Sequence, residues 1–252
     1  MEKKRHRAPV TKQASALPKK PALGIVQLSD TQKDQFFTAL LKKDTKTITF
    51  YLQKYPELAN VRISYFKPSL YKSNLPLLLY VLYLGYYKEK EGIKIFLDAG
   101  SNVNEQDVDG NNALSYAMLI SAPLSHLHYA LFNLFIERDA DLNAQNTNGE
   151  TPLIIAAQLG LANVVERMIS HSLNKINTSE AERKSSYLGL LPADLRQNIL
   201  PYFLNPNIKD KQGKTALNYA ILGLENAITE NQQLAVQNYA KIIEVLEPII
   251  AK

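Results

Sequence analysis

Four histidines, 24 Asp and Glu residues and no cysteine are the raw material for chemistry in this chain of 252 residues. His6 lies near the start, His171 stands alone, and His126 and His128 are two apart in a segment read as an inserted loop. Two side chains at that spacing diverge unless the backbone is locally extended, so the histidines do not converge as metal ligands must. The lack of cysteine excludes disulfides and thiolate metal sites and is compatible with a reducing compartment. A glycine-rich phosphate loop, a helical His-Glu-x-x-His and a Gly-x-Ser-x-Gly elbow are all missing. The carboxylates are scattered as on a solvated surface. The chain is therefore expected not to be an enzyme and to need no cofactor or metal.

Charge is distributed unevenly. Lys3, Lys4, Arg5, Arg7, Lys12, Lys19 and Lys20 stand against Glu2 in the first 20 residues, a tail of +6, whereas the whole chain is +5. The remainder is thus near neutral, without the basic balance that nucleic acid would attract. With Pro9, Pro18 and Pro21 and few apolar residues, 1–28 is expected to be a disordered basic tail. Lys3-Lys4-Arg5-His6-Arg7 suits a nuclear address, a tether to acidic surfaces or a solubilising tail. No apolar run approaches 18 residues, and Leu75 to Tyr87 reads as a short buried helix, so no membrane span or signal peptide is expected and the cytoplasm is the default location.

The elements that must position any functional surface are more legible. Gly149-Glu150-Thr151-Pro152-Leu153 followed by Ile154-Ile155-Ala156-Ala157 and Leu159-Gly160 has weaker copies on both sides, Gly110-Asn111-Asn112-Ala113-Leu114-Ser115-Tyr116-Ala117 and Gly213-Lys214-Thr215-Ala216-Leu217-Asn218-Tyr219-Ala220. Gly110, Gly149 and Gly213 fit a tight turn with positive φ. Thr151 and Thr215 can cap the next helix, and Pro152 suits its first turn. Leu114 and Leu153 point inward, Ala156 and Ala157 let paired helices approach, and Tyr116 and Tyr219 replace smaller residues. This pattern resembles the ankyrin repeat, in which a turn and two antiparallel helices stack on their neighbours because one unit alone cannot bury its apolar faces.

The resemblance implies an all-α ankyrin-repeat solenoid of helix-turn-helix units behind an N-terminal disordered tail. The approximate units are 29–60, an atypical first repeat; 61–104, with a greasy first helix from Leu75 to Gly85 and a second from Ile93 to Leu97; and 105–143, lengthened around Ser121 to His128. Then follow 144–176 at standard length, a degenerate 177–207, and 208–252 as a C-terminal cap with an insertion at Glu225 to Leu234. Asp139 stands where the helix-ending glycine of the family would be. The abundance of Lys, Asn, Ile and Tyr resembles ankyrin proteins that intracellular bacteria deliver into host cells.

Leu191-Pro192-Ala193-Asp194-Leu195-Arg196-Gln197-Asn198-Ile199-Leu200 also resembles the opening of an F-box, a helical module that recruits ubiquitin-ligase scaffolds. The alternative function is thus a substrate adaptor acting through 188–204; a proline-started helix packing on the stack explains the same residues.

In the ankyrin family, turn tips and the exposed side of the first helices bind other proteins. The matching positions are Val108, Asp109 and Asn111, then Thr147, Asn148 and Glu150, then Lys211, Gln212 and Lys214, with Leu119, Gln158 and Leu159 on the helices. The expected function is a non-enzymatic scaffold, a monomer, binding a partner protein, a host protein if the chain is a delivered effector. The tips run from acidic to basic along the row, which suits a partner of mixed charge.

Overall fold

The computed structural model describes residues 22–23, 28–64, 74–86, 90–120, 125–179 and 204–250. Most of the expected tail, the F-box-like segment up to residue 203 and the residues 121–124 of the expected insertion lie outside them.

Helices α1 (Asp30–Lys42) and α2 (Thr45–Lys54), with a 3-10 turn at Pro56–Asn60, form the first unit. Ser29 caps α1 reciprocally with Gln32, and Lys43 ends it in a left-handed conformation, φ 56°. Three short strands come from segments read as tail, as a connection over 61–74 and as helix. β1 (Ala22–Leu23), β2 (Arg62–Ser64) and β3 (Leu75–Pro76) form an antiparallel sheet, with Leu23 opposite Ile63 and Ile63 opposite Leu75. Ala22 and Leu23, within the span 1–28 read as tail, pair with β2. Leu75 is extended, not helical, because the residue before a proline is disfavoured in the helical region.

The remaining helices are α3 (Leu77–Tyr83), α4 (Lys90–Asp98), α5 (Ala113–Ile120), α6 (Ser125–Ile136), α7 (Pro152–Gln158), α8 (Ala162–Ser179), α9 (Ala216–Thr229) and α10 (Gln233–Ile250). They stack in two rows. First helices pack α3 on α5, α5 on α7 and α7 on α9, and second helices pack α2 on α4, α4 on α6, α6 on α8 and α8 on α10. One continuous apolar core runs between the rows, from Phe36 and Leu40 through Phe96, Phe132 and Phe135 to Ile242 and Leu246, all buried. Ala156 and Ala157 have no accessible surface, as close approach of the helices requires.

Helix ends repeat one device. Gly100, Asp139, Gly160 and Asn231 all have positive φ. After each, the chain turns back with paired amide bonds, such as Ala140 N to the Phe135 carbonyl at 3.1 Å and Gln232 N to the Ala227 carbonyl at 2.9 Å. Asp139 therefore occupies the glycine position in the conformation that the turn demands. His126 and His128 lie on α6, so of the two ways to lengthen that unit, an inserted loop or a longer helix, the described part from Ser125 is helix, and the Glu225 insertion lengthens α9 until Asn231 stops it.

The larger departure concerns 177–207. Asn143 Oδ1 accepts the Asn205 amide at 2.7 Å, and the Lys211 amide donates to the Asn148 carbonyl at 2.9 Å. The described parts of unit 144–176 and unit 208–252 therefore abut directly. The sequence reading counted 177–207 as a stacking unit because its length matched one. The described part of it is the end of α8, which continues to Ser179, and the return at Leu204, a buried residue.

Candidate functional site

Three turns stand in a row before α5, α7 and α9, and each is organised by one acidic or amide side chain. Asp107 Oδ1 accepts the amides of Asp109 and Asn111, both at 2.9 Å. Asn146 Oδ1 does the same for Asn148 and Glu150, and Asp210 Oδ1 for Gln212 and Lys214. These three residues were not singled out in the sequence, although each precedes its turn glycine by three positions. Gly110, Gly149 and Gly213 adopt φ 77°, 78° and 76°. Thr151 and Thr215 then cap α7 and α9 as their positions suggested.

Adjacent turns are bonded backbone to backbone. The Thr147 amide donates to the Asp109 carbonyl at 2.8 Å, and a Cβ on Gly110 would meet the Asn146 Cα at 2.9 Å. Glycine is required there by close approach as well as by φ. Below the tips runs a ladder of asparagines. Asn60, Asn104 and Asn143 each use Oδ1 to accept an amide of the following unit, from Asn102, Asp141 and Asn205, all at 2.7 Å.

The expected binding residues divide in two. Val108, Asp109, Thr147, Asn148, Lys211 and Gln212 are exposed at the tips. Asn111 is not; at 5% exposure its amide is held by Asp107 and its Oδ1 accepts from Asn146, so it supports the turn and offers no contact surface. Glu150 is half-buried and accepts hydrogen bonds from Asn146, Asn148 and Gln158. Gln158 is thereby tied down, and its carbonyl takes the Tyr239 hydroxyl at 2.9 Å. Lys214 is also half-buried, its ammonium 5.2 Å from the Tyr219 ring centre.

Register adds Tyr83 and Leu222 to the expected Leu119 and Gln158. Tyr83, Leu119, Gln158 and Leu222 each stand six positions after the first residue of α3, α5, α7 and α9. Three of them are apolar and open to solvent, Tyr83 at 41%, Leu119 at 49% and Leu222 at 40%. Leu159 beside Gln158 is 40% exposed. The signal was available in the helical alignment, but Tyr83 and Leu222 also fit a buried stripe by periodicity alone.

The electrostatics change along the row. Asp109 at the first tip gives way to Asn148 and then to Gln212, flanked by Lys211 and Lys214. Asp210 beneath that last tip is buried, which pushes its carboxyl up. The Tyr219 hydroxyl at 2.6 Å, the amides of Lys214 and Gln212 and the Lys214 charge outweigh burial and hold it below the usual carboxylate range. Burial, followed by the Asp210 contact, raises the Tyr219 hydroxyl.

Among the described residues, no three His, Asp or Glu side chains group as metal ligands, and no helix is long and apolar enough to cross a membrane. Of the F-box-like segment 188–204, only Leu204 is described.

A family profile described as ankyrin repeats (3 copies) matches residues 77–177 and 118–230, more than half of the chain. An ankyrin repeat protein of Acanthamoeba polyphaga mimivirus is 24% identical over 155 residues, which cover 60% of this chain and 19% of that protein. The chain thus spans about a fifth of that relative's length. The turn glycines, the capped first helices and the two stacked rows all agree with the profile, and the chain belongs to the ankyrin repeat family.

Proposed function

We propose that this chain is a non-enzymatic scaffold that holds a partner polypeptide on a concave face made by its turn tips and the exposed side of α3, α5, α7 and α9. Ankyrin repeats are protein–protein interaction modules. The observation that favours this face is the register of Tyr83, Leu119 and Leu222. Apolar residues stand there in solvent in three of the four units, while neighbouring positions on the same helices, such as Val81, Ala117 and Ala220, are buried. An apolar centre with charged and polar tips at its rim is the anatomy of a recognition surface. Binding requires little reordering, because turns and helices are fixed by bonds made on folding.

Affinity capture and mass spectrometry with the full chain test the proposal. Leu119→Asp combined with Leu222→Asp is expected to lose the partners that wild type retains. Asn163→Asp on α8, exposed on the second-helix row, is expected to keep them. Partners held equally by both variants would remove the concave face from consideration.

A further inference from the structure

The edge by which each of the two preceding turns meets the next has, on the last turn, no neighbour among the described residues. The Asp109 and Asn148 carbonyls each accept an amide from the next turn, and Gln212 holds the third equivalent position, where no described residue donates to its carbonyl. Asn104 and Asn143 each clasp an amide of the following unit, whereas the equivalent Asn207 is exposed and its side chain has no described partner. A Cβ on Gly110 or Gly149 would press on the backbone of the next turn at 2.9 or 3.0 Å, but one on Gly213 would meet nothing within 4 Å. A carbonyl, an asparagine amide and a cleared space over a glycine together are the imprint of a polypeptide backbone.

The side chains on this edge also change character. Gln106 and Gln145 each reach across to the next turn, Gln145 donating to the Gly149 carbonyl at 2.7 Å and to Lys209 at 3.4 Å. Lys209 takes their place on the last turn, Lys211 replaces Val108 and Thr147, and Lys214 replaces Asn111 and Glu150. The two earlier turns contain no lysine between their first and last positions. Lysine on a free backbone edge discourages indiscriminate pairing. It also sets like charge against a second copy of this chain and opposite charge toward an acidic one.

We propose that the edge formed by Asn207, Gln212 and Gly213 takes up an extended acidic segment of a partner protein by backbone addition. Its amides donate to the Gln212 carbonyl and to Asn207 Oδ1, its main chain lies over Gly213, and its carboxylates face Lys209 and Lys211. This site shares Lys211 and Gln212 with the last tip of the concave face but does not use the apolar positions Tyr83, Leu119 and Leu222 on which that face rests.

Amide chemical shifts of the full 15N-labelled chain, titrated with a peptide of alternating glutamate and valine, test the proposal. Shifts are expected to concentrate at 205–214 and to weaken with added salt. Gly213→Asn fills the cleared space with a residue that tolerates positive φ, and is expected to weaken binding about tenfold or more. Asn207→Ala is expected to weaken it about fivefold. Leu119→Asp should leave it unchanged, which separates this site from the concave face. The proposal is overturned by equal binding to Gly213→Asn, by equal binding of a lysine-valine peptide or of a backbone N-methylated glutamate peptide, or by no shifts with wild type.

Discussion

Asn143 Oδ1 lies 2.7 Å from the backbone nitrogen of Asn205, 62 residues along the chain. The same bond joins Asn104 to Asp141 over 37 residues. One side-chain type therefore clasps neighbouring units whether the bonded residues are 37 or 62 apart in sequence. Asn143→Ala removes a part-buried bond between units and is expected to lower stability by about 1–2 kcal/mol. Asn207→Ala, at the end of the ladder where no described residue pairs with the side chain, is expected to change it by less than about 0.5 kcal/mol. Urea denaturation of the two variants checks the difference, and equal losses would contradict the ladder.

Gly223 on α9 illustrates a glycine kept by packing. In an exposed helix interior, glycine to alanine is expected to stabilise by about 1 kcal/mol. Here a Cβ would lie 2.5 Å from Tyr239 Cζ and 2.8 Å from its Cδ1. Gly223→Ala is therefore expected to destabilise by about 1–3 kcal/mol. Adding Tyr239→Ala should relieve the clash, so that in the Tyr239→Ala background the alanine at 223 no longer destabilises. Thermal melts of the double-mutant cycle give the sign.

Stability of the last unit should depend on acid through Asp210. Its carboxyl is held below the usual range in the folded chain, so the unfolded chain takes up the proton first as pH falls. The contribution is complete above about pH 4, the ordinary aspartate value, and is lost as pH falls from there through the folded value. Asn146 makes the same two amide bonds in the preceding turn without a charge, so Asp210→Asn should keep the turn while flattening this part of the profile. Melting temperatures of wild type and variant between pH 5 and pH 2 should converge toward the acid end. An unchanged slope in the variant would assign the acid sensitivity to other groups.

Arg62 fastens the small sheet to the turn of the following unit. Its guanidinium pairs with Glu105 at 2.6 Å and donates to the carbonyls of Gln106 at 2.9 Å and Asn74 at 3.1 Å. Three acceptors in different directions suit a planar fork and not a single ammonium. Arg62→Ala is expected to lose about 1.5–3 kcal/mol, and Arg62→Lys to recover less than half of it. Hydrogen exchange at Ile63 and Leu75 should rise in both variants, and full protection in Arg62→Lys would show that charge alone suffices.

The sequence by itself determined what is local. Turn glycines, threonine caps, Pro152 at a helix start and the buried Leu114 and Leu153 were legible because each answers to a backbone angle or to neighbours within one helical turn. The exposed tips Val108, Thr147 and Lys211 followed from the same register. Tertiary structure decided the rest. A segment of repeat length reads as a repeat until Asn143 is seen to bond with Asn205, since stacking order is set by contacts between units that local pattern does not encode. Asn111 reads as surface until Asp107 and Asn146 enclose it, and Leu222 reads as core until its side of the row is found uncovered. Periodicity gives a helix its apolar stripe, but only the neighbours that arrive by long-range packing determine which residues of that stripe are covered.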